Sequence, residues 1–416
     1  MGKEYFMNVL FIVPYVPNLV RTRPYNLIRH LSARGNRVTV LTVWANEQER
    51  ADLAPLQEIC DEVYAVPMPL WHSLLNSAAA LPSRKPLQSV YSWKPELVSH
   101  LNGNSPYGVV HVEHLRGSRY GLHFKEKSNL PVVWDSVDCI THLFRQAAAQ
   151  SKSLKGRLRS WLDLERTARY EGWLLDKFNH VLVTSPVDRD ALLGLRPQGS
   201  TPAPISVLGN GVDVNHFSPN PAVVREPATL VISGKMSYHA NVTMTLHLVH
   251  EIMPHVWQQR PEAKLLVVGK DPAREIQALA QNPNIVVTGT VDALPPYLQK
   301  ATVAVAPITY GAGIQNKILE AMGCGTPVVT TPQAVSALCI EPGRDLLVAD
   351  SPESYAQAIL SVLANPQRQE ELGRNGRLYV EQHHHWPNVA ARLETIYAEA
   401  IESLSQQSSR PLSLQQ

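Results

Sequence analysis

TVAVAPITYGAGIQNKILEAMGCGTPVV, residues 302–329, joins an apolar run, a glycine-rich turn, a helical stretch and a second β-branched run. Its first run shows no polar alternation, as expected of a parallel strand covered on both faces. Gly311 and Gly313 let the chain turn sharply and bring backbone close to a ligand. A loop at the carboxyl end of a parallel strand is where open α/β sheets hold their ligands. The helix that follows starts with free N–H groups and a positive dipole end, which favour phosphate. Lys317 adds a full charge one turn in, and Glu320, a turn further, can accept two ribose hydroxyl bonds. Diphosphate at the loop and ribose at the carboxylate together describe a nucleotide diphosphate. Such turns also occur without ligands, and a Lys/Glu pair three apart also serves as a plain surface pair.

The same plan repeats outward from this stretch. VLFIV at 9–13, the helical RPYNLIRHLSARG with Leu27, Ile28, Leu31 and a Gly35 cap, and RVTVLTVW make one β-α-β unit. The crossover is then right-handed. The plan restarts at ATLVISG (228–234), followed by one helix over 241–259 and the strands AKLLVVG, NIVVTG, TVAVAPI and PVVTT. Two restarts predict two doubly wound α/β domains, and 416 residues exceed what one core normally organises. Asn210-Gly211 and the prolines after it mark a linker. The expected domains are 1–218 and 219–385, then a helix over 386–404 and a polar, disordered tail over 405–416.

Composition narrows the function. With 44% hydrophobic and 18% charged residues and a net charge of +2, the chain is globular and lacks the basic loading of a nucleic-acid binder. The four cysteines (Cys60, Cys139, Cys324, Cys339) are widely spaced, the usage of a reducing cytosol. No run of eighteen apolar residues exists, and MGKEYFMNVLFIV reads as a strand start rather than a secretory leader. The first half is mildly basic, which suits an anionic membrane surface or acceptor and equally suits ordinary surface variation. Residues 151–179 read as a long helix with Lys152, Lys155, Arg157, Arg159 and Trp161 near its start. Such a helix can lie peripherally on the inner membrane face or remain a solvated surface helix.

GAGIQNKILEAMGCGTPVV resembles the donor-site signature of retaining glycosyltransferases of the group 1 (family 4) type, which have the GT-B fold. NGVD at 210–213 with the following HFSP resembles that family's inter-domain signature. LVISGKMSYHANV is similar to its first C-domain strand, and RTRPYNLIRHLSARGNRVTVLT to its N-terminal opening. The resemblance spans roughly residues 7 to 400 and is weaker in the first half. It implies two Rossmann-like domains facing a central cleft, with a last helix crossing back to the N-terminal domain. It also implies transfer of a sugar from a nucleotide-diphosphate sugar to an acceptor hydroxyl, with retained configuration and without a metal or other cofactor. The acceptor would be a polysaccharide, a glycolipid or a small glycoside.

Carried over residue by residue, Glu320 matches the family's ribose contact, while Ala312 stands where an earlier glutamate meets the donor sugar. Backbone N–H groups of Gly311, Ala312, Gly313 and Ile314 would contact the sugar instead. Lys235 after Gly234 matches the basic residue of the phosphate clamp. The second clamp lysine has no clear match, since Asn241 stands in that region, and Lys317 would supply the second cation. Two cations suit a leaving diphosphate that gathers negative charge. The nucleobase would lie beside Thr290 and Val291. In GVVHVEHLRG the family's histidine position aligns with Glu113, with His114 adjacent, and either can face the donor sugar. Asp135 and Asp138 end the next strand and would line the same cleft. Arg21 and Arg23, in place of a common glycine pair, either bind an anionic acceptor or a neighbouring phosphate, or cap a helix.

Two motifs mislead. DRD at 188–190 matches a metal-holding D-x-D, but it follows Ser185-Pro186, a cap and first-turn pattern. HHH at 383–385 cannot converge on one point from a helix, and marks the approach to the final helix. Competing functions are a sugar-nucleotide epimerase or phosphorylase on the same fold, and an inactive sugar-nucleotide-binding protein. A dinucleotide oxidoreductase is disfavoured, because neither opening strand carries GxGxxG.

Overall fold

The computed structural model describes residues 7–18, 21–99, 107–150, 154–309 and 314–408, without the side chains of 147–150, 154–162 and 407–408. Gly311, Ala312, Gly313 and Lys152 lie outside the described residues, as do the side chains of Lys155, Arg157, Arg159 and Trp161. Two compact units emerge, Met1–Gly209 with Val389–Gln416, and Asn210–Asn388. The division precedes the proline-rich stretch near 218 because Arg377 ties 214–217 into the second unit. Its Nη1 donates to the carbonyls of Val214, Phe217 and Gly323 at 2.9, 2.6 and 2.7 Å.

The first unit holds a seven-stranded parallel sheet in the order β3-β2-β1-β4-β5-β6-β7. Its strands are β1 (Asn8–Val13), β2 (Arg37–Trp44), β3 (Glu62–Pro67), β4 (Val109–Glu113), β5 (Val132–Val137), β6 (His180–Val183) and β7 (Ile205–Val207). The chain runs outward from β1 to β3, then returns to β4 on the other side, so the order reverses between β1 and β4. Val9 to Val13 are fully buried, which explains their unbroken apolar run. Leu27, Ile28 and Leu31 of the helix Thr22–Ala33 are buried as their spacing predicts, and Gly35 follows at φ +91°. Ser185 caps the helix Pro186–Leu193 by accepting from the Asp188 N–H, so the DRD motif lies in a capped first turn.

The final helix, Trp386–Ser408, buries Val389, Ala390, Leu393, Ile396, Tyr397 and Ala400 at helical spacing. It runs into the stretch read as a disordered tail. There Ser405 Oγ donates to the Ile401 carbonyl at 3.0 Å. His384, just ahead of this helix, is buried with Nδ1 2.7 Å from the Asn210 carbonyl, a structural use of the histidine run.

The second unit holds a six-stranded parallel sheet in the order β10-β9-β8-β11-β12-β13. Its strands are β8 (Thr229–Ser233), β9 (Lys264–Val268), β10 (Ile285–Gly289), β11 (Val303–Ala306), β12 (Val328–Thr330) and β13 (Leu347–Val348), with the order reversing between β8 and β11. The helix expected over 241–259 is interrupted. His239–His247 and Met253–Gln259 flank a wider π-type turn at Leu248–Ile252. Pro254 has no N–H and its ring opposes a standard turn, so the wider turn absorbs the misfit.

β8 and β9 end in glycines that nearly touch. Gly234 and Gly269 both sit at φ +149°, and a Cβ on Gly269 would lie 1.7 Å from the Gly234 carbonyl oxygen. Gly269→Ala is therefore expected to cost about 2–3 kcal/mol through forced backbone displacement. The urea midpoint checks this; an unchanged midpoint contradicts the close approach.

Candidate functional site

In the second unit the sequence-predicted residues gather at the carboxyl ends of the strands, around the reversal between β8 and β11. Gly234 and Lys235 follow β8, and Thr290 and Val291 follow β10. Ile314, Lys317 and Glu320 sit at and within the helix Asn316–Gly323, which comes after β11. This is the position in which an open parallel sheet leaves a crevice. Lys235 is exposed, its Nζ 3.9 Å from Asp271 Oδ2. Thr290 is exposed, Val291 packs partly against the core, and Ile314 is buried.

One residue ties the Lys317 ammonium to the backbone of Lys235. Asn241 Nδ2 donates to the Lys235 carbonyl at 3.0 Å, and Asn241 Oδ1 accepts from Lys317 Nζ at 2.6 Å. A Cβ on Gly234 would meet Asn241 Nδ2 at 2.7 Å, so only glycine leaves room for this amide. The sequence showed Asn241 only as a departure from the expected lysine, and its bridging role depends on a fold contact. Lys317 is half-buried, and desolvation lowers its pKa to about 8 against the pull of Glu320. Burial raises Glu320 to about 7, with Lys317 opposing. Both charges are thus held partly out of water with incomplete compensation, a state that an anionic ligand bearing hydroxyls relieves.

The first unit carries a buried polar cluster at its own reversal, between β1 and β4. Tyr15, just after β1, donates its hydroxyl to Glu113 Oε1 at 2.8 Å. Arg23 Nε and Nη2 both donate to Asp135 Oδ2, at 3.0 and 2.7 Å. His111 on β4 stacks on Phe11, lies 3.8 Å from Asp135 Oδ2, and meets the Tyr397 hydroxyl through Nδ1 at 2.9 Å. Glu113 Oε2 and His111 Nε2 are buried with no hydrogen-bond partner. Desolvation, aided by the Asp135 charge, raises Glu113 to about 8. Desolvation lowers His111 and His114 to about 4.

His114 and Val137 both have positive φ, +64° and +68°. A β-branched residue there is an outlier, and both sit where adjacent strands β4 and β5 end. His114 is half-buried and its Nδ1 accepts from the Arg116 N–H at 3.3 Å. Asp138 accepts from Thr184 Oγ1 at 3.1 Å, and burial raises it to about 6. Arg21 remains partly exposed, paired with Glu49 at 2.8 Å and stacked over Tyr15 at 4.7 Å. Of the two arginines, Arg23 is committed to a buried pair, and neither side chain serves as a helix cap. Tyr15, His111 and Tyr397 were not singled out by sequence, since their partners are 98 and 286 residues distant. Among the described residues no group of three His, Cys, Asp or Glu side chains is arranged to hold a metal.

Comparison with known proteins fits both halves. Residues 227–365 match the family described as "Glycosyl transferases group 1", and residues 20–211 match the "Glycosyl transferase 4-like domain". D-inositol 3-phosphate glycosyltransferase 2 of Catenulispora acidiphila is 24% identical over 323 residues, 72% of each chain. The alpha-maltose-1-phosphate synthase of Mycolicibacterium smegmatis is 27% identical over 58% of this chain and 66% of its own. A sucrose-phosphate synthase from Thermosynechococcus elongatus superposes with TM-score 0.67 at 19% identity, over 95% of this chain and all of its own. Anabaena HepE, solved with UDP and glucose, gives TM-score 0.66 at 15% identity, over 94% and 99%. Those solved structures carry the fold, two parallel α/β units of the GT-B kind. Taken with the two family matches, this fold makes the chain a member of the group 1 glycosyltransferases.

Proposed function

We propose that the chain moves a sugar, of hexosyltransferase type, from a nucleotide-diphosphate sugar to an acceptor hydroxyl, with retained configuration and without a metal. The observation that carries this is the Lys317–Asn241–Lys235 linkage beside the β8/β11 reversal. The amide ties the Lys317 ammonium to the Lys235 backbone, and the two ammonium groups would suit a diphosphate whose charge grows as the sugar departs. In the proposal Gly234, Lys235, Lys317 and the loop Gly311, Ala312, Gly313, Ile314 hold the diphosphate and sugar. Glu320 holds the ribose, and Thr290 and Val291 flank the base. A UDP-bound relative of this fold supports the donor class. So do relatives named as GDP-mannose-dependent mannosyltransferases.

The first unit would serve the acceptor, a carbohydrate or a lipid-linked glycoside. Arg21 and Asp138 would contact it, Arg23 would act through Asp135, and Glu113 or His114 would face the transferred sugar. The Ala312 position also keeps a second reading in view, a protein that binds a sugar nucleotide without turning it over.

Incubation with UDP-, GDP- and ADP-sugars tests both readings. At least one donor is expected to raise the unfolding temperature and to release nucleoside diphosphate with an acceptor extract, at a rate indifferent to EDTA. Product NMR would then show the donor's anomeric configuration. Stabilisation with no release favours the binding protein, and no stabilisation by any donor overturns the proposal.

A further inference from the structure

The turn from β5 into the helix Ile140–Gln150 is held by carboxylates from separate elements. The Val137 N–H donates to Asp135 Oδ1 at 3.0 Å, and the Cys139 N–H to Asp188 Oδ1 at 2.9 Å. The N–H groups of Ile140 and Thr141 donate to Glu171 Oε1 and Oε2 at 2.8 and 2.9 Å, and the Thr141 hydroxyl joins them on Oε2. Asp135 belongs to β5, Glu171 to the helix Leu154–Leu174 and Asp188 to the helix Pro186–Leu193. Their exposures are 0, 0 and 1%.

An ordinary connection needs much less. A serine or asparagine at the surface caps a helix start without burying a charge, whereas a carboxylate drawn inside pays desolvation. Burial accordingly pushes Glu171 up to about 7. The approach of its helix is built in as well. A Cβ on Gly172, beside Glu171, would lie 2.1 Å from the Leu195 carbonyl oxygen, so only glycine lets this helix press so close to the segment after Asp188. Held in this frame, Val137 sits at φ +68°, and such strain persists only where the surroundings over-determine it. The residue that the turn presents is Asp138, half-buried just beyond β5, with Oδ1 accepting from Thr184 Oγ1 at 3.1 Å. Its backbone is pinned too: its N–H donates to the Ser136 carbonyl at 2.9 Å, and its carbonyl accepts from Ser136 Oγ at 3.0 Å.

We propose that Glu171 and Asp188 are positioning residues, which lock the turn Val137–Thr141 in its strained form and so keep the Asp138 carboxylate in place for the acceptor. The inference rests on the reading of Asp138 as an acceptor contact and uses none of the residues assigned to the donor. Glu171 touches Asp138 only through the backbone it holds. An amide at position 171 breaks that hold, because its nitrogen would face either the Ile140 or the Thr141 N–H.

Transfer from the donor found in the sugar-nucleotide screen to a dilution series of the acceptor extract tests the proposal, with release of nucleoside diphosphate to water alone as the second readout. Glu171→Gln is expected to raise the half-saturating amount of extract and to lower transfer at limiting extract roughly tenfold, since misplacing a contact group by about 1 Å costs up to ~10²-fold. Its release to water should match wild type. Thr141→Val removes a single bond to Glu171 and should shift half-saturation the same way by a smaller factor; it serves in place of a Glu171→Gln chain that does not fold. The deciding comparison adds each change to Asp138→Asn. A residue that acts through Asp138 costs little more once that carboxylate is gone. Losses that multiply instead, or that fall equally on transfer and on release to water, make Glu171 a support of the fold alone and overturn the inference. So does a folded Thr141→Val chain with wild-type half-saturation. An Asp138→Asn chain that transfers like wild type overturns the acceptor reading of Asp138 itself, and the inference falls with it while the donor reading stands.

Discussion

Lys317→Met is expected to lower kcat/KM for the nucleotide sugar by roughly 10²–10³-fold, the scale set by removing one charge-stabilising donor. The methionine keeps most of the apolar stem and removes the ammonium, which donates to Asn241 Oδ1 at 2.6 Å and lies 4.0 Å from Met244 Sδ. Lys317 is charged below about 8 and Glu320 above about 7, and both charged forms suit the donor. The pH profile of kcat/KM should therefore rise near 7 and fall near 8, as macroscopic steps of a coupled pair. Glu320→Gln should remove the acid limb and move the alkaline one to lower pH, since the Glu320 charge holds the Lys317 pKa up.

Stability has the opposite sign over the alkaline interval. Folding lowers the Lys317 pKa, so between about 8 and the ordinary lysine range the unfolded chain holds more protons than the folded chain. Stability then rises with pH while donor binding falls. Calorimetry and kinetics on one buffer series check this. A kcat/KM that stays flat from pH 7 to 9, or a Lys317→Met variant with normal turnover, removes Lys317 from the donor site.

Much of this half of the site was legible because local rules fix it. An unbroken apolar strand, a glycine turn and a helix start place Lys317 and Glu320 from adjacent sequence alone. Lys235 was legible through the family resemblance, as the basic residue after the glycine that follows β8. Asn241 was not, because its meaning lies in two contacts made across the sheet's end. The π-type turn ahead of Pro254 also escaped, since a proline near a helix's middle signals a break or a kink equally. The helix Leu70–Ala80, which buries Ser73 and Ala80 and exposes Leu70, Trp71, Leu74 and Leu75, illustrates a general limit. Helical periodicity shows which residues share a face, and only packing shows which face is buried. In the first unit β1, β2, β4 and β5 were legible and β3, β6 and β7 were not singled out; nor was the cluster that joins Tyr15, Arg23, His111, Asp135 and Tyr397, for it is assembled from five separate segments.

That cluster yields the second large effect. Arg23→Met is expected to cost about 3–5 kcal/mol of stability, because it strands the Asp135 carboxylate in a fully buried position. Asp135 would keep the Val137 N–H on Oδ1 at 3.0 Å and the His111 ring at 3.8 Å, neither of which neutralises it. Asp135→Asn placed on top of Arg23→Met should recover most of the loss, since the uncompensated charge goes. The loss should also deepen with pH. Folding raises Glu113 to about 8, so stability declines as pH climbs from the ordinary carboxylate range towards that value. The Arg23 charge holds Glu113 down and the Asp135 charge pushes it up, so Arg23→Met steepens the decline and Asp135→Asn flattens it. Urea midpoints of the three variants at pH 5 and pH 8 measure all of this. If Arg23→Met unfolds at the wild-type midpoint, the guanidinium is not paired inside the unit, and a direct hold on an anionic acceptor becomes its better role.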